Sequence, residues 1–90
     1  MKGFIKIPVK LMLEEEVTNT KKFANSYRYI RCEDIMSVGP TMDEEFPDET
    51  TISISMVTGE TYLAYFSMKE FTEEFEKNEP SKIWEKTKLN

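Results

Sequence analysis

The chain contains no histidine and only one cysteine, Cys32, among its 90 residues. Without imidazole there is no histidine-based catalytic triad and no histidine zinc site, and a lone cysteine cannot form an internal disulfide. Cys32 has no histidine to act as its base, so we interpret it as a small apolar strand residue. These absences exclude most familiar enzyme classes. We predict a protein that is not an enzyme and that needs no metal and no cofactor.

Long apolar runs and glycine-rich segments are also missing. The stretch Phe4–Leu13 is interrupted by Lys6, Pro8 and Lys10, so it predicts neither a signal peptide nor a membrane-spanning helix. We therefore predict a cytoplasmic protein with no membrane partner, in which the single thiol stays reduced. The three glycines are isolated from one another, so no glycine-rich phosphate-binding loop is predicted.

Charge is distributed unevenly along a chain whose net charge is −5. Residues 1–31 carry seven basic and three acidic side chains, whereas residues 32–50 carry seven acidic side chains and no basic one. The acidic total weighs against binding of duplex nucleic acid, because such binders gain affinity mainly by neutralising phosphates. The basic amino-terminal third still allows a local site for an anion.

Alternation of apolar and polar residues predicts five strands. They are expected at Phe4–Leu13, Tyr27–Cys32, Ile35–Val38, Thr50–Val57 and Glu60–Phe66. Pro8 cannot donate to a ladder, so the first strand is expected at a sheet edge or beside a bulge. Residues 17–26 show weak periodicity and several turn-forming side chains, which predicts a loop or a single helical turn.

Turn chemistry predicts the connections between these strands. Glu33–Asp34 is expected to form a tight corner, and Gly39–Pro40 to end the third strand. Thr58–Gly59 predicts a hairpin turn in which the glycine supplies a positive φ. Residues 43–49 contain five carboxylates and one proline, a composition that favours an irregular connection over a strand or a helix.

A capping box, Ser67 with Glu70, predicts the start of a helix over Ser67–Lys77. Its apolar stripe is expected to consist of Met68, Phe71, Thr72 and Phe75. Asn78-Glu79-Pro80 is expected to end this helix. Residues 79–90 are then predicted as a tail or a short second helix, which Pro80 opens and which Ile83 and Trp84 anchor.

Together the elements predict one α+β domain over residues 1–78. We expect a small curved antiparallel sheet of about five strands, with the helix packed on one face. A small open sheet exposes edge strands, so we also expect homo-oligomerisation.

The stretch from about Tyr29 to Phe75 resembles the small flagellar FlbD-type proteins. The matching residues are Tyr29-Ile30, Ile35, Thr51-Ile52-Ser53-Ile54, Gly59, Tyr62, Ser67 and Glu70-Phe71. The chain departs from that pattern in a longer amino-terminal loop, a longer acidic insertion at 43–49, Phe66 where an acid is common, and an added tail with Trp84. The chain also resembles short open reading frames of phages and mobile elements. The resemblance implies a sheet-plus-helix module that is not an enzyme.

Basic and aromatic residues are interleaved in the segment 21–31, a mixture suited to phosphate contacts and base stacking. The candidate ligand-binding or partner-binding residues are Lys21, Lys22, Phe23, Arg28, Tyr29 and Arg31. Two interpretations stay open at this point. The segment is either a solvated surface with salt bridges, or a site for an anionic ligand or for the acidic patch of a partner.

The acidic segment is a second candidate interaction site. Its residues are Asp43, Glu44, Glu45, Phe46, Asp48 and Glu49. They lack the spacing and the turn glycine of an EF-hand, so no calcium site is predicted. The segment could pair with the basic segment of another copy, or imitate nucleic-acid charge towards a basic protein. Phe46 is either an exposed interface residue or is tucked back onto the sheet.

Our leading hypothesis is a non-catalytic binding or regulatory protein, of the kind that phages and mobile elements encode. It would act through protein contacts and homo-oligomerisation. The alternative is an oligomeric protein that binds or sequesters an anionic nucleotide between basic side chains of adjacent subunits. A hydrolase using Glu33, Asp34 or Glu60 is disfavoured, because acids at turns are usually solvated.

Overall fold

The computed structural model describes residues 3–15, 17–18 and 20–78. The elements are β1 (Phe4–Glu15), β2 (Thr20–Arg31), a 3₁₀ turn (Cys32–Asp34), β3 (Ile35–Thr41), β4 (Thr51–Met56), β5 (Thr61–Ala64) and α1 (Met68–Asn78). The predicted α+β class is confirmed, with five antiparallel strands and one helix after them. The strands form two sheets, β1-β2 and β3-β4-β5, neither of which closes into a barrel. The second helix or tail predicted at 79–90 lies outside the described residues.

Residues 17–26 depart most from the sequence prediction, because the loop expected there is mainly strand. β2 begins at Thr20 and pairs with β1 along its whole length, from Glu15 opposite Thr20 to Phe4 opposite Arg31. The prediction was wrong because it relied on the local preference of Thr, Asn and Ser for turns. Strand formation in this segment depends instead on pairing with β1, whose apolar and polar residues alternate. The two strands form a hairpin about 40 Å long at the usual rise per residue. We call it the hairpin arm.

The ends of β3 and β5 also differ from prediction. β3 does not end at Gly39–Pro40 but continues to Thr41, with Pro40 opposite Ile52 in β4. β3 is an edge strand of its sheet, a position in which proline is tolerated because one side of the strand has no neighbour to accept an N–H. β5 ends at Ala64, since the N–H of Tyr65 donates to the carbonyl of Pro8 in the other sheet, at 2.9 Å.

One hydrophobic core is shared by the two sheets and the helix. Its buried residues are Ile5, Ile7, Ile30, Cys32, Ile52, Ile54, Met56, Ala64 and Phe71. Ile5, Ile7, Ile52 and Ile54 belong to the alternating apolar positions of the predicted strands, but Leu11 and Leu13, which continue the alternation in β1, are exposed. Cys32 was expected in a strand but lies in the 3₁₀ turn, where its thiol is 3.7 Å from the carbonyl oxygen of Asn78. The same carbonyl accepts the N–H of Gly3 at 2.7 Å, which fixes the end of α1 to the start of β1.

Both predicted local signals are present in the structure. Gly59 has a φ of 98°, and its N–H donates to the carbonyl of Met56 at 3.0 Å. At the start of α1, the N–H of Glu70 donates to the Ser67 hydroxyl and the Glu70 carboxylate accepts the N–H of Ser67, both at 3.1 Å. The helix therefore begins with the reciprocal capping box that the sequence predicts.

Candidate binding surface on the hairpin arm

The outer half of the hairpin arm, Leu11–Glu15 with Thr20–Ala24, exposes apolar side chains on both faces. Leu11 and Leu13 are 49% and 54% exposed on one face. Met12 and Phe23, which are opposite each other in the register, are 55% and 37% exposed on the other face. In contrast, Ile5 and Ile7 in the inner half are fully buried. The arm therefore carries its apolar surface away from the core.

Residues 43–49, the acidic loop, dock against the arm around Lys10. The Lys10 ammonium lies 2.9 Å from the Glu49 carboxylate and donates at 2.9 Å to the side-chain oxygen of Asn25. It also lies 4.4 Å from the ring centroid of Phe46 and 5.1 Å from that of Tyr65. Only 11% of the Lys10 side chain is exposed. A partly desolvated ammonium between two aromatic rings gains from cation–π attraction as well as from the ion pair.

Phe46 takes the second of its two predicted alternatives and is tucked back onto the sheet. Its ring packs edge-on against Phe23 with centroids 5.1 Å apart, and against Tyr65 at 6.2 Å. These contacts place the aromatic side chain between the arm and the end of β5. Phe46 therefore holds the acidic loop in place within the chain.

Asp43 at the start of the acidic loop accepts the Tyr65 hydroxyl at 2.5 Å and the N–H of Glu45 at 3.0 Å. These two donors hold the pKa of the Asp43 carboxyl below its usual value, with Lys10 adding a smaller Coulombic contribution. Burial, and then the hydrogen bond to Asp43, raise the pKa of the Tyr65 hydroxyl. The pair is therefore neutral tyrosine with ionised aspartate.

The predicted acidic interaction site is thus divided by the fold. Asp43 accepts the Tyr65 hydroxyl and Glu49 pairs with Lys10. Asp43 is half-buried, whereas Glu44, Glu45, Asp48 and Glu49 are exposed. Among residues 3–15, 17–18 and 20–78, no three acidic or cysteine side chains are arranged to hold a metal ion. The loop presents charge to solvent on one side and is fastened to the arm on the other.

The six basic and aromatic candidates all lie on β2, but the structure does not bring them together. Lys21 and Arg31 are about 33 Å apart at the usual strand rise. Lys22 and Arg28 lie on the opposite face from Lys21 and Arg31. Several are already in contact with neighbours. Phe23 packs on Phe46, the Arg28 guanidinium lies 4.8 Å from the Tyr62 ring centroid, and Arg31 pairs with Glu33 and Asp34. A convergent anion pocket would therefore need side chains from an adjacent subunit.

An open groove of about 390 Å³ separates the arm from α1. Its lining residues are Lys6, Pro8, Tyr27, Tyr65, Phe66, Glu70, Glu73 and Glu74. The Lys6 ammonium lies 4.2 Å from the centroid of the Tyr27 ring. Neither Lys6 nor Lys10 was singled out from the sequence. The partner of Lys6, Tyr27, is identified only from the register of β1 with β2, and the partners of Lys10, Phe46 and Tyr65, only from the path of the acidic loop and the end of β5.

Comparisons of the chain with protein-family models, with curated proteins and with solved structures find no match. The resemblance to FlbD-type proteins therefore stays a prediction. Within the part of the chain that the structure describes, no helix is long and apolar enough to cross a membrane.

Proposed function

We propose that the protein is a non-catalytic binding protein that acts through protein contacts of the hairpin arm and that associates with itself. The observation that carries this proposal is the exposed apolar surface on both faces of the outer half. A two-stranded hairpin is marginal in water by itself, because each face buries little apolar area. Packing the outer half against another polypeptide would remove Leu11, Met12, Leu13 and Phe23 from water.

A second copy of the chain is a suitable occupant because the charges of the outer half are balanced. Glu14 lies opposite Lys21 in the hairpin register, and the sequence of the outer half contains two acidic and two basic residues. Two outer halves can therefore pack together without net repulsion. A symmetric contact would bury the same apolar patch on both subunits, as closed dimers do.

The contacts of the turn carboxylates support a non-catalytic role. Glu33 and Asp34 both pair with Arg31. Glu60 accepts the hydroxyls of Tyr62 and Thr58, at 2.5 Å and 3.4 Å. Carboxylates held in such local pairs are not arranged as an acid and a base on either side of a cleft.

The test is the oligomeric state of the purified protein, measured by native mass spectrometry and sedimentation equilibrium. We expect the wild type to form a dimer or larger oligomer, and Leu13→Glu to be monomeric because it places a charge in the apolar patch. Met36→Glu is the matched control, since Met36 is 66% exposed and lies on β3, which belongs to the other sheet. A monomeric wild type at the highest soluble concentration would contradict self-association, as would a Leu13→Glu variant that remains oligomeric.

A further inference from the structure

The hairpin register determines which backbone groups of β2 point away from β1. The N–H of Cys32 donates to the carbonyl of Gly3 at 2.9 Å, in the same register that pairs Ile5 with Ile30. Hydrogen-bonded pairs alternate with non-bonded pairs in an antiparallel ladder. Even-numbered residues of β2 therefore direct their N–H and C=O groups towards β1. The odd-numbered residues from Lys21 to Arg31 direct theirs outward, and we call this row the open edge.

Pro8 provides an independent check on this alternation. It lies opposite Tyr27, a non-bonded pair in the same pattern, so its missing N–H costs no ladder bond. Its carbonyl should then point away from β2, and it does, because it accepts the N–H of Tyr65. The outward direction of the Tyr27 backbone groups on the other strand follows from the same geometry.

Nothing in the described part of the chain pairs with the open edge. The sheet that contains β2 has only two strands, and β1 covers the other side of β2. β2 is 12 residues long, which is long for a strand with one bare edge. Such edges accept an added strand from another polypeptide.

The charge of β2 selects the kind of strand that can be added. β2 contains four basic residues and no acidic one. Arg31 pairs with Glu33 and Asp34, but in two β2 strands placed side by side Lys21, Lys22 and Arg28 would meet no acidic side chain of the other strand, which disfavours a second copy at this position. Tyr27 and Tyr29 lie between basic residues of β2 and are 63% and 55% exposed. Their rings offer aromatic surface to the apolar residues of an incoming strand.

We propose that the open edge of β2 binds an extended acidic segment of a partner protein by strand addition. The proposal specifies a partner for the arm proposed above, but it uses the edge of β2 and not the apolar faces of the outer half. The edge presents N–H donors and C=O acceptors together, and a peptide backbone satisfies both. A nucleic-acid phosphate only accepts hydrogen bonds, so it would leave the outward carbonyls of β2 unpaired.

Hydrogen exchange measured by NMR tests the proposal on the wild-type protein. The probe is a blocked peptide of alternating glutamate and valine, as long as β2. We expect the odd-numbered amides from Lys21 to Arg31 to exchange at least about tenfold more slowly with the peptide bound, whereas the even-numbered amides stay protected throughout. Unchanged exchange of the odd-numbered amides at saturating peptide would overturn the proposal. Equal protection by a lysine–valine peptide or by single-stranded oligothymidylate would also overturn it.

A pair of variants at Tyr29 separates the backbone from the side chain. Tyr29→Pro removes one outward N–H, and Tyr29→Ala removes the same aromatic ring but keeps the N–H. We expect Tyr29→Pro to weaken peptide binding about tenfold relative to Tyr29→Ala, the equivalent of one lost hydrogen bond. Equal affinities of the two folded variants would contradict strand addition. Leu13→Glu should still bind the peptide, so failure of self-association and failure of edge binding are distinguishable.

Discussion

The backbone N–H of Tyr65 donates to the carbonyl oxygen of Pro8, at 2.9 Å. This bond joins the end of β5 to the middle of β1, so it links the two sheets. The Tyr65 side chain extends the same junction, because its hydroxyl donates to Asp43 in the acidic loop and its ring lies beside Lys10. One tyrosine therefore connects the second sheet, the hairpin arm and the acidic loop.

Replacing Phe46 with alanine should loosen the acidic loop from the arm. The change removes the edge-on contacts with Phe23 and Tyr65 and one of the two rings beside Lys10. For a half-buried aromatic side chain we expect a loss of about 1–2 kcal/mol in the free energy of unfolding. Urea denaturation followed by circular dichroism measures this loss in the free energy of unfolding. Met42→Ala, at a position 64% exposed beside the loop, should change stability by less than about 0.5 kcal/mol, and equal effects of the two variants would argue against a docked Phe46.

The two glycines Gly59 and Gly39 should respond differently to alanine. Gly59 has a φ of 98°, which strains any residue with a side chain, whereas Gly39 has an ordinary φ and open space around an added Cβ. We expect Gly59→Ala to lower the free energy of unfolding by about 1 kcal/mol or more. Gly39→Ala should be neutral or slightly stabilising. Thermal melts of the two variants provide the comparison, and a Gly39→Ala variant as unstable as Gly59→Ala would be the unexpected result.

Removing the helix cap should destabilise α1 and the core contact of Phe71. Ser67→Ala leaves the N–H of Glu70 without the hydroxyl that accepts it at 3.1 Å. The expected cost is about 1 kcal/mol. Lys69→Ala, an exposed change in the same turn, is the matched control and should cost less than about 0.5 kcal/mol. Chemical denaturation of the wild type, Ser67→Ala and Lys69→Ala measures the three free energies of unfolding. A Ser67→Ala variant as stable as the wild type would mean that the capping bond contributes nothing to stability.

Alkaline pH should reduce the contribution of Tyr65 to stability. Burial and the Asp43 carboxylate raise the pKa of the Tyr65 hydroxyl in the folded protein, so the unfolded chain loses this proton first, above about pH 10. The stability contributed by the neutral hydroxyl is complete below that pH and is lost as the pH rises further. The advantage of the wild type over Tyr65→Phe in urea denaturation should therefore be constant at lower pH and shrink progressively above about pH 10.

The control for this pH series is Tyr29→Phe, since the Tyr29 side chain is exposed on the arm. Its difference from the wild type should vary less with pH than that of Tyr65→Phe. A difference between wild type and Tyr65→Phe that stays constant across the series would show that the Tyr65 hydroxyl keeps the same pKa in both states.

The sequence by itself determined the features that depend on neighbours a few residues apart. Alternation was sufficient to place Ile52 and Ile54 on a buried face, and a glycine at the hairpin turn is required by the local backbone conformation. The reciprocal bonds of Ser67 and Glu70 span a single helical turn. Each of these signals lies within one short window, so no knowledge of the rest of the chain was needed to interpret it.

Only the tertiary structure decided which distant groups meet. The position of Lys10 between Phe46 and Tyr65 depends on the hairpin register and on the path of the acidic loop, and no local pattern contains either. Residues 20–26 were expected to form a loop but are strand, because backbone pairing with β1 outweighs the weak local preference of these residues for turns. The hairpin register also spread the basic side chains along β2 and left one edge of that strand open, since a long hairpin separates residues that are close in sequence.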